Sequence, residues 1–299
     1  MAGSKEAAEQ TIQRYLGSRF TPDEARRSPE SLLGRKALIT GAGRGIGREV
    51  ALKFALYGAD LLLNAKSSAG LDEVAGIAQE LGVVVDTLSG DVSDPQTGLD
   101  LADRARTRFA GLDILVNNAG ITRDNLALRM TTEQWQEVIG TNLNGAFFVT
   151  RPALRLLMKS SHGRVINSGS VSMLGNGAQI NYSAAKAALV GFTGALASEV
   201  GKRGVTVNTV ALGPVETAIW EEARGNLTKF QSAEDREAGK DPTASIKARM
   251  TVLGGKRFLY PSEAADWIHV LASDKGANIT GQTILVDGGL TLLSIGEQG

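Results

Sequence analysis

Residues 168–186 read SGSVSMLGNGAQINYSAAK. A phenol, Tyr182, precedes an amine, Lys186, by four positions, which on a helix puts both on one face. Three hydroxyls, Ser168, Ser170 and Ser172, come just before them. Such a set suits delivery of a proton to an oxygen that is gaining negative charge. A free phenol, with a pKa of about 10, is a poor match to neutral pH. A neighbouring ammonium favours the phenolate and lowers that value. Tyr-x-x-x-Lys also arises by chance in ordinary helices, so the pair has meaning only where other elements hold it beside a reacting centre.

A second stretch with chemical potential is TGAGRGIG (40–47), which follows the apolar run KALIT (36–40) and leads into a helical pattern near Gly45. Gly41 permits a tight turn. Gly45 and Gly47, with Ile46 between them, keep side chains away where backbone approaches a pyrophosphate and where helix packs on strand. Strand, glycine turn and helix in that order are the context a dinucleotide phosphate site requires.

The elements that must position these groups form one alternating series. DLLLNA (60–65), VVVDTL (83–88), DILVN (113–117), RVINS (164–168), VTVNTV (205–210) and TILVD (283–287) repeat the short apolar run, and helical periodicity separates them, as in 48–58 and 188–204. Runs apolar on both faces, alternating with helices, indicate a seven-stranded parallel sheet covered on both sides: an α/β, doubly wound domain. In such sheets ligands bind beyond the carboxyl ends of the strands. The predicted organisation is an N-terminal extension, partly helical, over 1–32 and one domain over 33–299. A helical stripe of Ala8, Ile12, Tyr15 and Leu16 predicts that the extension lies on the domain surface or on a partner subunit.

Composition narrows the chemistry. The 299 residues carry 32 basic and 32 acidic side chains, so no global field attracts nucleic acid or an anionic membrane. There is no cysteine, which removes thiolate catalysis and cysteine-bound zinc and fits a reducing, cytoplasmic setting. His162 and His269 are the only histidines, which argues against a multi-histidine metal site. No apolar run approaches the roughly 20 residues of a membrane span, and the charged start of the chain does not resemble a secretory signal.

The glycine spacing is Gly-x-x-x-Gly-x-Gly. With NNAG at 117–120 and YSAAK at 182–186, the chain resembles the short-chain dehydrogenase/reductase family over about residues 33–290. NNAGITRDNL (117–126), TNL (141–143) and GNGAQINYSAAKA (175–187) resemble its bacterial 3-oxoacyl-[acyl-carrier-protein] reductases in particular. The resemblance implies a Rossmann-like fold and a catalytic set of Asn142, Ser170, Tyr182 and Lys186. Ser170 stands twelve positions before Tyr182 where the family has thirteen, so a one-residue deletion around Ser172–Leu174 is inferred. Ser172 is the weaker candidate, and Ser168 is expected to face the sheet. The resemblance also places Asp91 and Val92 against adenine, and Asn118, Ala119 and Gly120 along the cofactor. Lys186 reaches the nicotinamide ribose, while the Val215 backbone and Thr217 meet the carboxamide or phosphate. Leu212 stands where the family often has proline.

The end of the second strand, Asn64-Ala65-Lys66-Ser67, lacks the acid that binds a ribose 2′-hydroxyl. With no acid nearby in sequence, the cations Lys66 and Arg44 favour the 2′-phosphate of NADP (NADPH). The expected activity is NADPH-dependent reduction of a ketone, foremost a 3-oxoacyl thioester on acyl carrier protein or CoA. The alternatives are a dehydrogenase of a free ketone or secondary alcohol, and a silent nucleotide-binding regulator. A polar stretch over about 217–255 is read as a lid insertion, with Trp220 closing over substrate. Lys159, Arg164, Lys202 and Arg203 are candidate contacts for an acidic carrier, with Ser161 where these reductases often carry a base. By the same resemblance, small and apolar residues around 142–160 and 181–202 imply a homotetramer. No metal is expected.

Overall fold

The computed structural model describes residues 2–17, 21–217, 235, 238–250 and 257–292. Among these, β1 (Lys36–Thr40), β2 (Asp60–Ala65), β3 (Val85–Ser89), β4 (Ile114–Asn117), β5 (Arg164–Ser170), β6 (Thr206–Leu212) and β7 (Thr283–Val286) form a single sheet. Its order is β3-β2-β1-β4-β5-β6-β7, and every pairing is parallel. The winding reverses between β1 and β4, so a crevice opens beyond their carboxyl ends.

The continuous apolar runs are explained by two cores. Ala37, Ile39, Leu61, Leu63, Ile114 and Val116 point to one face, under α3 (Gly45–Leu56), α4 (Ala69–Glu80) and α10 (Pro261–Ala272). Leu38, Leu62, Leu115, Val165 and Val207 point to the other, under α5 (Pro95–Phe109), α7 (Gly145–Leu157) and α8 (Ile180–Val200). Successive strand residues alternate between faces, and each fully buried Leu or Ile contributes about 1.5–3 kcal/mol.

Strand limits differ from the sequence expectation in β3, β5 and β6. β3 is an edge strand and starts only at Val85, because Val84 is exposed and its amide is taken by the Asp60 carboxylate. β5 and β6 run further than their apolar runs, through Ser170 and Leu212, carrying polar positions up to the crevice.

A buried polar ladder fastens α7 and α8 to the strand ends. Asn117 Nδ2 donates to Thr150 Oγ1 and Asn167 Oδ1 at 2.9 Å each, Asn167 Nδ2 donates to Thr193 at 2.8 Å, and Thr193 shares a proton with Thr209 at 2.7 Å. α6 (Thr132–Ile139) passes into α7 through one wide π turn, Gly140–Asn144.

At the chain start, α1 (Ala2–Leu16) lies on α3 and α4, followed by the short α2 (Pro22–Ala25). Ala8, Thr11 and Leu16 are buried, with Ile12 and Tyr15 packed beside them. Arg14 and Tyr15 both hydrogen-bond the buried carboxylate of Glu49 on α3. Burial and this carboxylate push the Tyr15 phenol well above its ordinary range. α9 (Ala244–Ala248) falls within the expected lid, most of which, Trp220 included, lies outside the described residues. No helix among the described residues is long and apolar enough to cross a membrane, and none of their His, Asp and Glu side chains form a group that could hold a metal ion.

Candidate active site

A cleft of about 1110 Å³ follows the carboxyl ends of the strands from β3 to β6. Gly41, Arg44, Gly45, Ile46, Lys66, Asp91, Val92, Asn118, Ala119, Gly120, Ser170, Tyr182, Lys186, Val215 and Thr217 all line it. Gly47 and Asn142 stand just behind its wall.

The glycine turn is built as its spacing demands. Gly41 (φ 65) and Gly45 (φ 56) occupy the left-handed region that other residues rarely adopt. A Cβ on Gly47 would lie 2.2 Å from the Gly41 carbonyl oxygen, so α3 packs directly on the turn. Asn118 clamps the turn from the side, its Nδ2 donating to the Thr40 and Gly41 carbonyls at 3.0 and 3.3 Å. α3 begins at Arg44 with no side-chain cap, which leaves its first N–H groups directed at the cleft. An open helix start behind a glycine cradle fits a dinucleotide phosphate.

At the other end, β5 delivers Ser170 and α8 delivers Tyr182 and Lys186. Ser170 caps a single 3-10 turn, Val171–Leu174, its hydroxyl accepting from the Ser172 amide at 3.1 Å. The short loop back to α8 closes through Gly175 (φ 106) and Ala178 (φ 63). Lys186 is buried, lies 5.5 Å from the Tyr182 ring centroid, and donates to the Ser168 carbonyl at 2.6 Å. Ser168 therefore takes part through its backbone, with its side chain buried at the sheet.

The proton chemistry departs from the sequence expectation, in which the ammonium lowers the phenol pKa. Instead burial pushes the Tyr182 phenol up to about 12, against the pull of a hydrogen bond with Ser170 and with the Asp124 charge adding to the rise. Burial also brings the Lys186 amine down to about 8. Both groups lose water together, and the amine spends its contact on a carbonyl rather than on the phenol oxygen. At neutral pH the phenol keeps its proton.

Asn142 sits in the π turn, where the wide backbone turns it inward. Its Nδ2 donates to the Ile121 and Val138 carbonyls at 2.9 Å each, while Oδ1 is buried with no partner. A Cβ on Gly120 would come within 2.7 Å of that oxygen and 3.8 Å of Lys186 Nζ, so the glycine keeps the two close.

Two further departures concern charge. Lys66 is not without an acid: its Nζ lies 2.7 Å from Asp91 Oδ2, because β2 and β3 end side by side. Burial works against the Asp91 carboxylate, but hydrogen bonds from Lys66 and Ser93 outweigh it and hold the group below its usual range. Arg164 is buried at the start of β5 and donates to the Gly163 carbonyl, so it offers nothing to a carrier protein. Lys159, Lys202 and Arg203 precede β5 and β6 and therefore lie at the opposite edge of the sheet from the cleft of their own subunit.

Sequence reasoning missed Gln179. Buried one helical turn before Tyr182, it donates to both Asp124 oxygens at 3.0 Å and accepts from Ser172 and Asn176. The available signal was its place one turn from the tyrosine, but its partners lie in two separate connections, β4–α6 and β5–α8.

A parallel sheet with this order, a glycine turn at its switch point and a Ser–Tyr–Lys set facing it define a dinucleotide-binding oxidoreductase, and the chain belongs to the short-chain dehydrogenase family, whose model matches residues 35–227. It is 42% identical over 263 residues to the 3-oxoacyl-[acyl-carrier-protein] reductase FabG of Escherichia coli (strain K12), a match spanning 87% of this chain and 98% of that enzyme. The 3-oxoacyl-[acyl-carrier-protein] reductase of Synechocystis sp. (strain ATCC 27184 / PCC 6803 / Kazusa) is 39% identical over 88% of this chain and 99% of its own. Among solved structures, one described as an NAD(P)-dependent gluconate 5-dehydrogenase from Beutenbergia cavernae, with NADP bound at low occupancy, superposes with a TM-score of 0.78 at 35% identity, covering 89% of this chain and 100% of that one. Levodione reductase does so with a TM-score of 0.77 at 30% identity, covering 86% and 97%.

Proposed function

We propose that the protein reduces a ketone to a secondary alcohol with NADPH, and that its substrate is a 3-oxoacyl thioester carried on acyl carrier protein or coenzyme A. The observation that carries the reading is the convergence of Ser170, Tyr182 and Lys186 at one end of a cleft whose other end is a glycine turn. The residues that would hold the nucleotide are Gly41, Gly45 and Ile46 in the turn, Arg44 and Lys66 at a 2′-phosphate, and Asp91 and Val92 beside the base. Asn118, Ala119 and Gly120 line the middle, and Lys186, Val215 and Thr217 the far end. When bound, the cofactor supplies hydride.

The chain's own groups handle the proton. Tyr182, protonated at neutral pH, donates to the substrate oxygen as its negative charge develops. The Ser170 hydroxyl donates a hydrogen bond to the same oxygen. Lys186, brought near neutrality by burial, can then exchange a proton with the tyrosine side of the cleft. The unpartnered Asn142 Oδ1 beside it offers an acceptor for a water leading toward solvent.

The identity to two carrier-protein reductases over nearly their whole length supports the thioester. A free ketone is the second reading, supported by structural neighbours named for gluconate and levodione. NADPH oxidation with acetoacetyl-CoA, set beside a panel of free ketones, separates the two. The thioester is expected to have the higher kcat/KM; a free ketone turned over more efficiently overturns that part. Equal efficiency with NADH overturns the NADPH assignment. Exposed Phe147 on α7 and Val190 on α8 support association of these helices between subunits in a homotetramer; sedimentation as a monomer at working concentration would contradict it.

A further inference from the structure

We propose that Asp91 is an internal rival of the ligand's 2′-phosphate: by pairing with Lys66 across the nucleotide end of the cleft, it sets how strongly the protein prefers a 2′-phosphorylated adenine nucleotide over its unphosphorylated form. The proposal rests on the reading above that Lys66 and Arg44 meet that phosphate.

The pairing follows from strand register. Ala65 on β2 lies beside Ser89 on β3, so the residues that leave the two strands, Lys66 on one and Gly90-Asp91 on the other, emerge together. Asp91 is fixed from behind. Its Oδ1 accepts from the Ser93 amide at 3.0 Å and from the Ser93 hydroxyl at 2.7 Å. The other oxygen, Oδ2, faces Lys66 Nζ at 2.7 Å. The lysine side chain is 82% exposed and the aspartate side chain 33%, so the lysine is the partner that can swing away.

Charge balance makes that swing consequential. A second pair, Arg123 with Glu137 at 2.7 Å, lines the same cleft, so these four residues cancel in sign. Arg44 is exposed and makes no ion pair among the described residues. A phosphate monoester brings roughly 1.5 to 2 negative charges near pH 7, more than one arginine neutralises. Lys66, which leaves β2 into the same cleft wall, is the second cation of that reading, and it reaches a phosphate only by leaving or sharing Asp91. Exposed pairs of this kind are weak, so the competition is expected to hold back the phosphorylated ligand by about three- to fivefold.

The test uses two probes that share one adenosine: adenosine 2′,5′-bisphosphate and 5′-AMP. Calorimetric titration of the full-length protein gives the ratio of their dissociation constants. Any contact of Asp91 with the base affects both probes and drops out of the ratio. Asp91→Asn is expected to raise the preference for the bisphosphate about three- to fivefold, and Lys66→Ala to lower it about tenfold. The Lys66→Ala/Asp91→Asn double variant is expected to match Lys66→Ala alone. Asp91→Asn leaving the ratio unmoved, while Lys66→Ala lowers it, overturns the proposal and spares the phosphate reading. Asp91→Asn raising the ratio equally with and without Lys66 also overturns it, because the acid would then act through its general field. Lys66→Ala without effect removes the phosphate reading and the proposal together. Unchanged melting temperatures confirm that the variants are folded.

Discussion

The cleft holds a lysine near each end, and the two are held in opposite ways. Lys186 is buried, has a carbonyl oxygen as its hydrogen-bond acceptor, and is brought down to about 8 by loss of water. Lys66 is exposed, has a carboxylate partner, and is raised above its ordinary value by the hydrogen bond and charge of Asp91. The same side chain is thus brought toward neutrality at one end and kept charged at the other. What separates them is the depth of the element that presents them: α8 lies across the centre of the sheet, while β2 meets edge strand β3.

The contrast can be broken at the buried end first. Tyr182→Phe removes the proposed proton donor and leaves the ring, so kcat is expected to fall about 10³-fold, within the range for general acid catalysis, with an unchanged melting temperature. Near-normal turnover would mean that another group delivers the proton. Next in size is the choice of hydroxyl. Ser170→Ala is expected to lower kcat by about 10²-fold, as for loss of one donor to a developing oxyanion. Ser172→Ala, whose hydroxyl is turned toward Gln179, is expected to change it by less than about threefold on the same scale. The reverse order would exchange their roles.

The smallest effect sharpens the comparison of the two lysines directly. The folded-state value for Lys186, about 8, lies below its unfolded value of 10.5, so between these pH values the unfolded chain binds more protons than the folded one. Stability from this group therefore rises with pH across that window. Lys186→Met is expected to be more stable than the parent at pH 7.5, and its advantage is expected to shrink by about 2 kcal/mol at pH 9.5. Lys66 has its folded value raised, so its contribution is present throughout that range and is lost only above the unfolded value. The difference between Lys66→Met and the parent should stay constant from pH 7.5 to 9.5. Urea denaturation at the two pH values measures both, and parallel behaviour of the two variants would erase the distinction.

Much of this was readable from residue order. The apolar runs marked each strand, because the central strands of a sheet covered on both faces have no solvent-facing gaps. The glycine turn and the Tyr182–Lys186 pair announced themselves by spacing within single elements, and Asn118 came from the family resemblance. What was not readable lies between elements. Lys66 and Asp91 leave different strands, and only parallel pairing of β2 with β3 joins them. Arg164 looks like a surface base in SHGR, yet it opens a central strand and is covered. The direction of the Tyr182 shift depended on how much water the folded cleft admits, which spacing does not encode. Gln179 ties the β4–α6 connection to the β5–α8 connection, so no local pattern singled it out.

The wide turn at Gly140–Asn144 has a consequence for how this chain tolerates change in length. It lodges one backbone residue more than regular α-helix would fit into the same span. Excising a single residue there would let the ladder close as regular α-helix with α7 kept in place, while the residues of the turn itself would move by about 100° around the axis. The asparagine amide would swing away from the back of Gly120, while the aromatic pair Phe147–Phe148 would keep its place. A deletion that looks harmless on a helix would thus remove the amide that backs one wall of the cleft.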